Sequence, residues 1–311
     1  MKKMEHKINL KLMGSAFEII VVDEDKTFAT RNISLAIEEI KRIEYLLTEF
    51  SETSVTALLN KNAGIMPIQV PKEFFQLVQR AQQISELTQG AFDLTVAPLK
   101  KLYNFKQQDF EFPSSKIIKN TLQKVGFKHI QLLPNNNIYL TKKGMRISFA
   151  AIGKGYAADC VRKLWQQNKV KSAAINASGD LAVFGTHAKG NSWKIGIPNP
   201  ENKNEIILSI PLHEGAVATS GDYEQYFMKN DIRYAHTIHP KTGMPVKDIK
   251  SVSIFHQSAE LCDALATAVF VMGTEIGLHF IEQLPNTYAI IIDAKNNVIL
   301  SNRIQLQNAI S

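Results

Sequence analysis

Asp263 is the residue whose surroundings make the strongest chemical demand in this sequence. It stands in Glu260-Leu-Cys-Asp-Ala-Leu-Ala-Thr-Ala-Val-Phe-Val-Met272. Leu261, Leu265, Ala268, Val269 and Met272 fall on one helical flank, while Ala264, Ala266, Phe270 and Val271 make the other sides apolar too. A helix of this kind is buried all round. A carboxylate inside it either neutralises itself or meets a cation and hydrogen-bond donors. Thr267 follows four residues later, which stacks its hydroxyl over the carboxylate. Two oxygens from one rigid helix suit a hard cation such as Mg²⁺, with water and substrate phosphates completing an octahedral shell. The same pair also fits a carboxylate favoured by the helix dipole and a threonine bonded back to its own helix.

A second group of candidates lies in Ala150-Ala-Ile-Gly-Lys-Gly-Tyr-Ala-Ala-Asp159, where an expected strand over Met145 to Phe149 runs into a helix. Small residues let the backbone approach a ligand, the helix N-terminus offers free N–H groups, and Lys154 supplies a cation for phosphate. The spacing of a Walker loop is absent. Glycines at a tight turn beside a solvated lysine would read identically. His236 and His239, in Tyr234-Ala-His-Thr-Ile-His-Pro-Lys-Thr-Gly243, read either as a base and a phosphate contact or as histidines at a strand end. Asp93 is the odd polar residue of Gly90-Ala-Phe-Asp-Leu-Thr-Val-Ala-Pro-Leu99, and by itself it reads as a turn or cap carboxylate.

The elements that must position these residues follow from periodicity. Lys7 to Met13 and Phe17 to Asp23 read as strands joined around Gly14-Ser15. Ala36, Ile40, Ile43 and Leu47 mark a helix over 31–47, and Phe74, Val78, Ala81 and Ile84 mark another from Pro71. Residues 103–128 form the most polar and aromatic-mixed stretch, with a short helix from Pro113 to Val125, and read as an insertion or a linker between lobes. Strands are expected at 129–133, 138–140, 172–178, 181–184, 193–197, 206–212, from 216, at 288–293 and at 298–301. The pattern is α+β with many antiparallel strands.

The 311 residues are 45% hydrophobic and 21% charged, enough to bury a large core. Cys160 and Cys262, the only cysteines, both sit in apolar helical patterns and read as small core residues, so neither a disulfide framework nor a cysteine-based zinc site is suggested. The net charge of +7 comes from lysines and arginines scattered among acids, which favours anionic ligands and gives no case for nucleic acid. No stretch approaches the roughly 20 apolar residues of a spanning helix. Met1-Lys-Lys-Met-Glu-His-Lys-Ile lacks a following signal-length apolar run and a cysteine for lipid attachment. As written, the chain reads as cytoplasmic, and as periplasmic if an export signal preceded it.

Taken together, these runs resemble the FAD:protein FMN transferase family, the ApbE-like flavin transferases, over nearly the whole chain. The matching runs are Met13-Gly14-Ser15, Phe50 through Asn60, Gly90 through Leu99, Ile152-Gly-Lys-Gly-Tyr-Ala-Ala-Asp159, Asn176-Ala-Ser-Gly-Asp180, Ala218-Thr-Ser-Gly-Asp222, His236-Thr-Ile-His-Pro-Lys-Thr-Gly243 and Asp263-Ala-Leu-Ala-Thr267. The resemblance implies a single domain over residues 5–305, in a two-lobed, T-fold-related α+β architecture with its site between lobes. It implies an enzyme that moves FMN from FAD onto a threonine or serine hydroxyl of an acceptor flavoprotein and releases AMP. By similarity, Asp263, Thr267 and the backbone carbonyl of Ala151 would hold Mg²⁺. Lys154 would meet phosphate, and Met13, Phe50, Ala91, Phe92, Asp93 and Asp180 would belong to the FAD site. His236 would act as base or phosphate ligand beside Asp263.

This chain departs from the family pattern where Ser148 opens Ser148-Phe-Ala-Ala-Ile-Gly-Lys-Gly155 in place of an aspartate. Ser178-Gly-Asp180 stands for Gly-Gly-Asp, and Ile238-His-Pro240 for Ile-Asp-Pro. Two further readings follow: hydrolysis of FAD to FMN and AMP in the same site, and a flavin-binding protein without chemistry.

Overall fold

The computed structural model describes residues 2–105, 110–222, 225–230 and 232–302. β1 (Met4–Leu12) and β2 (Ser15–Asp23) form the opening hairpin. It turns on Met13 (φ 49°) and Gly14 (φ 73°), the left-handed pair that matches the twist of two-residue hairpins. α1 (Lys26–Leu47) and α2 (Val55–Lys61) follow, their first turns capped by the side chains of Asp25 and Ser54. Next come β3 (Ile68–Gln69), α3 (Lys72–Leu87), α4 (Ala97–Lys100), α5 (Ser115–Leu122), β4 (Ile130–Leu133) and β5 (Asn137–Leu140). α6 (Gly153–Gln167) leads into β6 (Ala173–Ala177), β7 (Asp180–Phe184), β8 (Trp193–Asn199), β9 (Asn202–Leu212) and β10 (Gly215–Gly221). β11 (Tyr226–Lys229) and β12 (Ile232–Ala235) pair apart from the main sheet. β13 (Ile249–His256), α7 (Ala259–Met272), α8 (Thr274–Glu282), β14 (Tyr288–Asp293) and β15 (Val298–Leu300) complete the described chain.

Eight strands make one sheet in the order β1-β2-β6-β7-β10-β13-β14-β15, and every neighbouring pair is antiparallel. Both faces of its centre are covered, so alternate residues enter different cores. Ile175, Ala216, Ala218, Val252, Ile254 and Ile291 face the helices α1, α6 and α7. Ala174, Val217, Phe255, Ile290 and Ile292 face the β8–β9 ribbon with Trp193, Ile195 and Ile197. A third cluster joins Leu99, Tyr103, Phe227 and Ile238, with Phe110 and Phe112 packed around them. The polar stretch read at 103–128 thus carries aromatic anchors against the β11–β12 hairpin. Its residues 106–109 lie outside the described residues.

Three local expectations need correction. Residues 145–149 form no strand. Asn60 takes the place of a ladder partner, accepting from Ile147 N at 2.7 Å and donating to Ile147 O at 3.0 Å, while Ser148 N donates to Leu94 O at 2.9 Å. β13, a central strand, was not expected, because Ser251 and Ser253 interrupt its apolar pattern, although both serines are buried. α1 begins at Lys26, five residues before the expected start, where Asp25 caps it. The remaining expected strands and helices are present within three residues at each end, except that β9 begins at Asn202, four residues before its expected start.

α7 is the buried helix expected around Asp263, packed on β10, β13, α6 and α8. Its approach to α6 depends on Gly155. A Cβ there would lie 2.2 Å from Ala259 O and 2.9 Å from Asp263 Cβ, so the two backbones meet where no side chain fits. Gly155→Ala is therefore expected to lower unfolding free energy by about 1–3 kcal/mol or more. Urea denaturation of the variant checks this, and unchanged stability would contradict the close approach of α6 and α7.

Candidate functional site

The N-terminus of α6 and the middle of α7 meet at one end of the sheet, beside the β6–β7 turn. Asp263 is 6% exposed, and its Oδ2 accepts from Gly155 N at 3.2 Å. The carboxylate therefore rests on the positive end of α6 and not on that of its own helix. Thr267 also turns away from its own helix, its Oγ1 lying 3.2 Å from Ser220 Oγ on β10. Asp180, 2% exposed, opens β7 and meets Lys154 Nζ at 2.7 Å. The β6–β7 hairpin holds it there through a two-residue turn, Ser178 at φ 57° and Gly179 at φ 102°, closed by Gly179 N donating to Asn176 Oδ1 at 2.9 Å.

Two acids and one lysine share this corner. Burial, and after it the charge of Asp180, holds the Asp263 carboxyl well above the usual carboxylate range, against the pull of Lys154 and of the α6 N–H groups. Ala91, Phe92, Asp93, Lys100, Ala151, Lys154, Asp180, His236, Asp263 and Thr267 border a common cleft whose enclosed part measures about 120 Å³. Of the eleven residues that the resemblance assigned to the site, nine border this cleft and two do not. Met13 is half-buried near Gly153 without bordering the cleft, and Phe50 is 92% exposed on the loop before α2.

Asp93 borders the cleft, yet its oxygens are spent locally. Oδ1 accepts from Thr95 N at 2.8 Å and Thr95 Oγ1 at 2.6 Å, and Oδ2 accepts from Phe127 N at 2.9 Å. The capping alternative describes these bonds. His236 follows β12, and its Nδ1 lies 3.3 Å from Gln225 O. A carbonyl can only accept, so Nδ1 carries the proton and Nε2 keeps its lone pair. Burial, then Lys100 and Lys154, lowers the His236 pKa to about 4. The ring is neutral at pH 7, and Nε2 faces its surroundings as an acceptor.

Two residues at the site escaped the sequence reading. Lys100 ends a helix of a single turn, where no periodicity could flag it. Asp159, one turn beyond Lys154 and Gly155, caps α7 from α6: it accepts from Ala259 N and Glu260 N, both at 3.0 Å, and from Ser258 Oγ at 2.7 Å. Its place at the end of a small-residue motif was the available signal.

An antiparallel sheet under packed helices, with a helix N-terminus, a lysine and buried carboxylates gathered at one end, defines an α+β protein suited to phosphate-bearing ligands. More narrowly, the chain belongs to the ApbE family, whose model matches residues 13–292. It is 31% identical over 294 residues to an FAD:protein FMN transferase of Klebsiella pneumoniae, covering 94% of this chain and 90% of that one. A Treponema pallidum protein of the same name is 29% identical over 84% of this chain and 77% of its own. The crystal structure of the ApbE protein from Thermotoga maritima superposes with a TM-score of 0.88 at 30% identity, covering 96% of this chain and 97% of the other.

The lowered His236 pKa makes a prediction about stability. Unfolded, the ring binds its proton near 6.5; folded, near 4. The unfolded state holds more protons between these values, so this contribution is present above pH 6.5 and lost as pH falls to 4. His236→Gln should lose less stability than the wild type between pH 7 and pH 4.5 in urea titrations. Equal losses would contradict the buried neutral ring.

Proposed function

We propose that the protein is an FAD:protein FMN transferase, transferring FMN from FAD to a threonine or serine hydroxyl of an acceptor flavoprotein with release of AMP. The observation that carries the reading is the convergence of Lys154, Asp180 and Asp263 on the N-terminus of α6, in a cleft that also contains neutral His236. Family membership and the names of the relatives support the choice of substrate.

The donors present suit Mg²⁺. Asp263, Thr267 and Ala151 border the same cleft, and the carboxylate, the hydroxyl and the Ala151 backbone carbonyl would each offer a hard oxygen. A buried carboxylate made more basic by Asp180 is a group that a divalent cation would keep ionised. Bound there, the cation would offset charge on phosphate oxygens. Lys154 and the free N–H groups of α6 would orient the diphosphate. His236 Nε2 would take the proton of the acceptor hydroxyl as its oxygen bonds to the FMN phosphorus and the bond to the AMP oxygen breaks. An enclosed volume of about 120 Å³ takes the diphosphate but not a whole dinucleotide, so the ring systems would lie along the rim near Ala91 and Phe92.

The test is incubation with FAD, Mg²⁺ and an acceptor flavoprotein, following AMP and flavin fluorescence on the denatured acceptor band. Equimolar AMP and labelled acceptor are expected. Free FMN without labelling would assign hydrolysis, and tight FAD binding without AMP would assign a binding protein. Asp263→Asn keeps the shape and removes the charge. It should retain the fold by circular dichroism and lose roughly a hundredfold or more of the rate. Full Mg²⁺-dependent activity in that variant would sink the metal assignment.

A further inference from the structure

Lys100 is a cation that neither the sequence motifs nor the family resemblance single out. It is the last residue of α4, one turn after Val96, and both border the cleft. Its position is firmly set, because Asp93 ties Thr95 to Phe127 and Thr95 Oγ1 accepts from Gly126 N at 2.7 Å. Among the described residues its ammonium makes no hydrogen bond or ion pair. Glu49 favours the charge from a distance, but that carboxylate is already paired with Arg146 at 3.2 Å. Burial works against the charge and lowers the Lys100 pKa. A sheltered lysine without a partner costs the free protein stability, so a compensating anion is to be sought in the space it faces.

The opposite balance holds around α6. Lys154 is paired with Asp180, and Asp263 lies beside them, so those three groups supply no net positive charge. A diphosphate entering the cleft finds its uncommitted side-chain cation at Lys100. The two lysines also differ in place: Lys100 has the larger effect on His236 and Lys154 the smaller.

We propose that Lys100 is a second phosphate-binding cation of this cleft, taking a non-bridging oxygen of the FAD diphosphate on the side of His236. The inference rests on the FAD reading above. It assigns Lys100 a ligand contact distinct from that of Lys154, whose charge is shared with Asp180.

The experiment compares wild type, Lys100→Met and Lys100→Arg in three measurements. These are the Tm of the free protein, the Tm shift with inorganic pyrophosphate, and the FAD Kd with Mg²⁺ at low and high salt. Lys100→Met is expected to leave the free Tm unchanged or raised, because it removes an unpaired buried charge. It should weaken FAD binding about ten- to hundredfold at low salt, as loss of a charge-assisted contact does. It should also shrink the pyrophosphate shift and flatten the salt dependence. Lys100→Arg should retain most of the affinity. FAD and pyrophosphate binding equal to wild type in Lys100→Met would overturn the proposal. So would a lowered free Tm with an unaltered pyrophosphate shift, which marks a structural lysine. Wild-type protein that binds no FAD would instead remove the FAD reading itself.

Discussion

A carboxylate buried among alanine, leucine and phenylalanine side chains has to be met by charge or hydrogen bonds, and the arrangement at the end of the sheet answers that requirement for Asp263. The first N–H groups of α6 point at it, since a helix N-terminus has donors with no partner in its own helix. Lys154 follows on the same first turn, and Asp180 enters from the β6–β7 hairpin to share the ammonium. Two acids against one lysine leave the corner short of positive charge. The shortage is a property of the fold, because each group is delivered by a different element whose position is fixed elsewhere.

That delivery explains why one short motif carries so much. Gly153-Lys-Gly155 supplies the donors and the cation, and Gly155 also removes the side chain that would hold α6 away from α7. Asp159, one turn later, caps α7 from outside and so fixes where along α6 the second helix begins. Arg80 on α3 grips Glu260 at the same end, with Nε to Oε1 at 2.8 Å and Nη2 to Oε2 at 2.9 Å. A bidentate pair of this geometry adds direction to attraction. Asp263 is therefore held by a helix whose start is tied at two points before the carboxylate is reached.

The sequence made some of this legible and concealed the rest for identifiable reasons. Asp263 stood out because a charged residue in an all-round apolar helix has few meanings. The strands of the covered sheet centre read as apolar runs because both faces are buried. β13 escaped because serine is small enough to fill a tight buried position while counting as polar in any pattern. The strand expected at 145–149 had the right composition, but a side-chain amide from α2 pairs its backbone, and periodicity does not register a partner 87 residues away. Asp93 shows a further limit. Its bonds to Thr95 and Phe127 make it a scaffold for the turn leading to α4, whichever ligand the neighbouring residues meet.

The ionisable groups of the cleft deviate in a consistent sense. Asp263 and Asp93 are shifted upward, His236 and Lys100 downward, and burial is the largest cause in all four. Each shift favours the neutral form, so the free cleft resists charge of either sign. A phosphate arriving alone would help Lys100 and oppose Asp263; a cation arriving alone would do the reverse. A phosphate with its counter-cation satisfies both at once, and each then lowers the cost of ionising the partner of the other. Positive coupling between anion and cation binding is the thermodynamic consequence. It arises from low dielectric shared by groups of opposite sign, with no requirement that any element move.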